Sequence, residues 1–186
     1  MNKTLAQIFV LAALVAIGTP VGPIAAGEAR LADFYGKYAG SGANIAGEGL
    51  SDRDLNLVIR PHKKDGFTVQ WTTVIRKSSG KTKKIKHFIN FRPVKDRPGI
   101  YSSAMAIDTA GRVVPLHPLT GDPYIWAALK NKTLIVYSLY VSDDGSYEVQ
   151  VYKRTLTTNG LDLRWERVRD GDTLKLITAK LKKTAN

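Results

Sequence analysis

The chain of 186 residues contains no cysteine. This absence excludes disulfide bonds, a thiol nucleophile and a thiolate-ligated metal site. Acidic residues are also scarce, with 16 Asp and Glu against 28 Lys and Arg, so the formal net charge is +12. Such a balance favours association with anionic partners such as lipid head groups, acidic polysaccharides or nucleic acid. Without disulfides, the fold must be stabilised by its hydrophobic core.

Recognisable catalytic patterns are missing as well. The three histidines, His62, His87 and His117, do not form a His-Glu-x-x-His zinc motif, and no Gly-x-Ser-x-Gly elbow occurs. We therefore predict that the protein is not an enzyme and that it uses no metal and no other cofactor. The prediction would have to be withdrawn if two of His87, His117, Asp108 and Glu166 met beside an open pocket.

Residues 1–27 have the pattern of an export signal. Lys3 provides the positive start, residues 8–17 form an uncharged apolar run, and glycine and prolines follow before Ala25-Ala26-Gly27. The run is shorter than the roughly 20 residues that cross a bilayer, although an uncleaved membrane anchor is the alternative. We expect cleavage after residue 26, 27 or 29, leaving one exported domain over residues 28–186. That domain would have no transmembrane span and would be periplasmic or extracellular.

The remainder of the chain alternates with a period of two and shows no sustained helical repeat. Leu55, Leu57 and Ile59 alternate with Asn56 and Arg60, and residues 147–154 also alternate between the turn sequences at 142–145 and 157–160. Asp-Gly and Asn-Gly turns between such segments are strong hairpin signals. The pattern predicts an all-β protein, an antiparallel up-and-down β-barrel of about 8–10 strands. A two-sheet β-sandwich is the alternative.

The opening Gly36-Lys37-Tyr38, followed by a long meander of hairpins, resembles the start of lipocalins and other calycin-like barrels. The overall pattern is also similar to uncharacterised exported proteins of proteobacteria. The chain departs from lipocalins because it lacks a Thr-Asp-Tyr-type second motif, a disulfide pair and a clear C-terminal helix. The resemblance therefore implies the fold but no specific ligand.

A barrel of this size is wide enough inside for one small ligand. We predict that the interior binds a small apolar or amphipathic molecule, with the proline-rich loop 115–123 beside its mouth. His87 is the predicted polar anchor. The predicted lining residues are aromatic: Phe67, Trp71, Phe91, Trp126 and Trp165.

A second hypothesis concerns the basic hairpin, which we define as residues 76–86. Six of its eleven residues are cationic. They would attract an anionic lipid or polysaccharide of the cell envelope. Aromatic side chains do not interleave with them, so no specific nucleic acid is expected. The predicted anion-binding residues are Arg76, Lys77, Lys81, Lys83, Lys84 and Lys86.

Overall fold

The structure is a computed structural model that describes residues 28–46, 53–76 and 80–184. The predicted signal peptide (residues 1–27) and Lys77 lie outside the described residues. Strands dominate, with short 3₁₀ helices at Leu31–Phe34 and Pro118–Thr120. The strands are β1 (Gly36–Ala46), β2 (Arg53–His62), β3 (Gly66–Arg76), β4 (Thr82–Pro93), β5 (Ile100–Ser103), β6 (Ala106–Ile107), β7 (Val113–Val114), β8 (Tyr124–Lys130), β9 (Thr133–Val141), β10 (Tyr147–Thr157), β11 (Gly160–Arg169) and β12 (Asp172–Thr184).

Ten of these strands close into an antiparallel barrel in the order β1-β2-β3-β4-β5-β8-β9-β10-β11-β12. The barrel closes where β1 pairs with β12, from Lys37 opposite Thr184 to Ala46 opposite Leu176. Strands β6 and β7 form a separate two-stranded ribbon within the connection from β5 to β8. The prediction of an all-β up-and-down barrel is confirmed, and the alternative of a two-sheet sandwich is not what the chain forms.

Glycine allows the barrel to close tightly. A Cβ built on Gly40 in β1 would overlap the backbone carbonyl of Lys180 in β12. The close approach of two backbones at this position therefore needs a residue without a side chain.

Large aromatic side chains pack together at one end of the barrel. Phe34, which ends the first 3₁₀ helix, is fully buried, and its carbonyl accepts a hydrogen bond of 2.8 Å from the Tyr38 hydroxyl. Phe67 and Phe91 stack with ring centroids 4.7 Å apart, and Tyr101 meets Phe67 edge-on at 5.0 Å. Burying such a side chain contributes roughly 1.5–3 kcal/mol. We call this region the packed end.

The wall is incomplete beside the far half of β4. Only residues 91–93 of β4 pair with the short strand β5. Residues 82–90 pair with β3 on one side, and no described strand pairs with them on the other. This lateral gap leaves the inner face of β4 accessible, and His87 is an exposed residue there.

Candidate functional site

The half of the barrel away from the packed end contains a cavity of about 290 Å³. This volume is near the lower end of the roughly 300–1,000 Å³ typical of small-molecule sites. Strands β2, β3, β4, β10, β11 and β12 supply its wall. Its aliphatic lining consists of Leu55, Leu57, Ile85, Leu163, Ile177 and Leu181.

Three of the six predicted ligand-binding residues line this cavity: Trp71, His87 and Trp165. Phe67 and Phe91 do point into the barrel, but they are fully buried in the packed end and do not reach the cavity. Their position is explained by the pairing of β3 with β4, which places Phe67 opposite Phe91 at the packed end.

Trp126 requires a correction because it lies on the outer face of the barrel. Its ring stacks on Tyr137 at a centroid distance of 4.8 Å, while the flanking Ile125 and Ala127 are buried inside. Strand β8 is apolar on both faces, so hydrophobicity alone did not reveal which face turns inward.

The 3₁₀ helix Pro118–Thr120 of the proline-rich loop packs against β9. No described residue of that loop lines the cavity.

An aromatic band crosses the cavity. His87 stacks on Trp71 with ring centroids 4.6 Å apart, Trp71 lies 5.2 Å from Tyr152, and Tyr152 lies 5.9 Å from Trp165. The stacking removes water from the His87 ring, and this desolvation lowers its pKa below the usual 6.5. His87 is therefore neutral at neutral pH, although its outer edge is exposed through the lateral gap.

A chain of hydrogen bonds runs along the inner face of β10 from the aromatic band towards the open end. The Tyr152 hydroxyl donates to Gln150 Oε1 at 2.9 Å, and Gln150 Nε2 donates to Glu148 Oε1 at 3.0 Å. Glu148 Oε2 accepts from Arg167 at 2.7 Å and from Arg169 at 3.1 Å. The hydrogen bond from Arg167 lowers the pKa of Glu148, and burial raises the pKa of Tyr152 to about 12. Glu148 is thus an ionised carboxylate with its acceptors in use.

Arg154 was not among the predicted residues, yet it is the most unusual side chain of the cavity. It is only 2% exposed, and its Nε and Nη1 have no hydrogen-bond partner. Burial lowers its pKa to about 10, so the guanidinium remains charged at neutral pH. Its carbon Cζ lies 5.5 Å from the ring centroids of both Trp71 and Tyr152.

The two rings do not compensate for burying this charge. A cation–π contact contributes about 0.5–2 kcal/mol, whereas removing an ion from water costs several kcal/mol even after the protein relaxes. No described carboxylate forms an ion pair with Arg154. The empty barrel therefore contains a buried positive charge that its described residues do not neutralise.

The sequence did contain a signal for Arg154. It continues the period-two series Glu148, Gln150 and Tyr152, while Val149 and Val151 occupy the other face. An apolar face is normally assigned to the interior, but in β10 the polar series points inward and the valines point outward. Tyr152 pairs with Trp165 in β11, and both residues line the cavity, which fixes the orientation of β10.

The four residues that would have indicated catalysis do not meet. Asp108 pairs with Arg112 at 2.7 Å, and His117 Nδ1 accepts from the backbone of Leu119 at 3.2 Å. Glu166 is 3.8 Å from Lys153 on the outer surface, so only His87 borders the cavity.

Across residues 28–46, 53–76 and 80–184, no group of three or more potential ligands could hold a metal. Nor does a helix long and apolar enough to cross a membrane occur in that part of the chain.

The basic hairpin lies next to the cavity rather than apart from it. Its described lysines, Lys81, Lys83, Lys84 and Lys86, are exposed. Lys83 lies opposite Ile75 and has the same phase along β4 as Ile85 and His87, which line the cavity. Arg76 forms an ion pair with Asp54. The lysines thus flank the lateral gap.

The chain matches no protein-family model and no curated protein.

Replacing Arg154 by methionine should stabilise the empty protein. The substitution keeps a long side chain but removes a buried charge that has no described ionic partner, so we expect a gain of about 1–3 kcal/mol in the free energy of unfolding. Urea denaturation at pH 7.5 measures it. Arg164→Met, on the exposed face of β11, should change stability by less than about 0.5 kcal/mol. A large loss of stability in Arg154→Met would show that the guanidinium has a structural partner.

The lowered pKa of His87 should appear as a pH dependence of stability. Because the pKa of His87 is lower in the folded protein, the unfolded chain binds a proton at this histidine more readily. The contribution of neutral His87 to the free energy of unfolding is therefore complete at neutral pH, and it is lost as the pH falls through 6.5 towards the lower pKa of the folded state. We expect His87→Gln to flatten the decline in melting temperature between about pH 7 and pH 5. Glu148 contributes in a separate window, because its lowered pKa affects stability only below about 4.5. An unchanged slope in His87→Gln, matching that of His62→Gln, would contradict the assignment.

Proposed function

We propose that the protein is an exported binding protein that holds one small apolar or amphipathic molecule in its barrel. The observation that carries the proposal is the contrast between the two halves of the interior. Large aromatic side chains fill the packed end, whereas the other half encloses about 290 Å³. A cavity lined mainly by apolar and aromatic side chains, with few polar groups, is typical of ligand sites.

Access to the cavity supports the same function. On the side of β4 away from β3, no described strand pairs with residues 82–90, so a ligand can approach Ile85 and His87 without opening a paired strand. The packed end at the opposite side remains intact during such an approach. The proposal that the protein is exported is supported only by the sequence pattern of residues 1–27.

Binding can be tested with N-phenyl-1-naphthylamine, an uncharged apolar dye whose fluorescence rises in a dry environment. We expect saturable binding to the protein lacking residues 1–27. Thr73→Trp should weaken it by at least about tenfold, because the indole would occupy the cavity that Thr73 lines. Thr72→Trp is the matched control, since Thr72 points outward beside it. Absence of dye binding, or equal loss in both variants, would contradict a binding cavity.

The exposed lysines of the basic hairpin favour a second function, attachment to an anionic envelope component. Among the described residues, none of Lys81, Lys83, Lys84 and Lys86 takes part in an ion pair, and all four are exposed to solvent. Such a group attracts an anionic surface in a salt-dependent manner.

Charge reversal tests this second function. Changing Lys81, Lys83, Lys84 and Lys86 to Glu should abolish sedimentation with vesicles that contain anionic phospholipid at low salt. The same number of reversals at exposed lysines near the packed end, at Lys64, Lys95, Lys130 and Lys132, is the control for net charge. Equal loss of sedimentation in both variants would show that overall charge explains the binding. Retained binding in the first variant would exclude the basic hairpin as the binding surface.

A further inference from the structure

The charge at the inner end of the cavity restricts the chemistry of the ligand. The Nε and Nη1 atoms of Arg154 carry three of the five N–H donors of a guanidinium, and neither atom has a partner. Buried polar groups in folded proteins are nearly always hydrogen-bonded, and buried charges are paired. The unpaired donors on a side chain that is 2% exposed therefore indicate an acceptor supplied by a ligand.

The carboxylates of the neighbouring barrel wall are engaged elsewhere. Glu148 accepts hydrogen bonds from Arg167, Arg169 and Gln150. Glu166 lies on the outer face and pairs with Arg164 and Lys153. No ion pair joins Arg154 to any carboxylate in residues 28–46, 53–76 or 80–184. The described protein thus supplies no anion for this cation.

The position of Arg154 also gives the ligand an orientation. Leu156, the next inward-facing residue of β10, already packs against the core of the packed end. Arg154 therefore marks the bottom of the cavity, and the wall between it and the open side includes Leu57, Leu163 and Ile177. A molecule that satisfies both regions has an anionic group at one end and hydrocarbon along the remainder.

We propose that the cavity binds an amphipathic monoanion whose carboxylate accepts hydrogen bonds from the buried Arg154 guanidinium while its alkyl chain lies along the apolar wall. The inference rests on the proposed binding function and names its ligand class. A single charge fits because Arg154 contributes one guanidinium without a described ionic partner at the bottom of the cavity, the guanidinium groups of Arg167 and Arg169 are paired with Glu148, and the neighbouring His87 is neutral at neutral pH. A dianionic phosphate would leave its second charge uncompensated in a low-dielectric cavity.

The lysines beside the lateral gap complement this assignment. Lys81, Lys83 and Lys84 are exposed near the open side, and they produce a positive potential where an anionic ligand arrives. Exposed charges raise the rate of association more than the affinity, and salt screens them over about 8–10 Å. The buried Arg154, by contrast, is shielded from salt and determines how tightly the anion is held.

The test compares decanoate with 1-decanol, which share an alkyl chain and differ in the charge of the head group. Each ligand displaces N-phenyl-1-naphthylamine from the protein at pH 8, where decanoate is ionised. We expect the wild-type protein to bind decanoate at least about tenfold more tightly than decanol, because the carboxylate forms charge-assisted hydrogen bonds. Decyl phosphate forms a third arm, and it should bind more weakly than decanoate.

Arg154→Met should remove the preference for decanoate while leaving decanol binding within about twofold of wild type. Arg154→Lys keeps the charge but loses the planar fork, so we expect an intermediate preference. Arg164→Met, which removes an exposed arginine of the neighbouring strand, should behave as wild type. Thermal unfolding of each variant without ligand confirms that it is folded.

The outcomes separate the two proposals. If neither decanoate nor decanol displaces the dye and the dye itself does not bind, the proposed binding function is wrong. If the wild-type protein binds both ligands equally, or if Arg154→Met retains the preference, the binding function stands and the anion assignment is overturned. Tighter binding of decyl phosphate would replace the carboxylate with a phosphate as the anionic group.

Discussion

The number of strands constrains everything inside this barrel. Side chains just fill a barrel of about eight strands, and the diameter grows with strand number. Ten strands close here through the pairing of β1 with β12, which the bare backbone at Gly40 permits. The interior is consequently wider than aliphatic side chains can fill. The packed end meets this demand with Phe34, Phe67, Phe91 and Tyr101, whereas the other half leaves space.

The same constraint explains why polar groups occur inside. A wide interior with a gap in its wall lets water reach the open half, so Glu148 and Gln150 remain solvated or hydrogen-bonded at modest cost. Arg154 is different because it lies deepest, where water is excluded and its pKa is lowered by burial. A buried charge without a described ionic contact is expected to destabilise the empty fold, so its presence supports a role in binding a ligand rather than a role in the architecture. Natural proteins often carry such a stability loss at the sites where they function.

The fold could be predicted because strand alternation and turn chemistry are local properties of the chain. Asp-Gly and Asn-Gly turns and the alternation around Leu57 or Trp71 define strands without reference to distant residues. The direction of each face depends on tertiary pairing, and for this reason the prediction for Trp126 was wrong and Arg154 was not predicted as a cavity residue. Strand β8 is apolar on both faces, and β10 has its polar face inward. Phe67 and Phe91 were predicted to line the ligand site, and they point into the barrel but lie in the packed end. Their height along the barrel depends on the stagger of the strands, which composition does not encode.

The two hypotheses for function converge on one part of the molecule. The lysines of β4 lie along the stretch of that strand that pairs with β3 on one side and with no described strand on the other. Charged residues on an unpaired strand also prevent edge-to-edge association, so their presence alone would need no ligand. Edge protection, however, is satisfied by charge of either sign, and the buried charge behind the gap is positive as well. Because positive charge at the opening and at the bottom of the cavity repels cations and attracts anions at both places, the two features together favour a single class of ligand. Under the proposed binding function, the basic hairpin and the barrel cavity would be parts of one pathway, in which the exposed lysines attract anions and Arg154 selects among them.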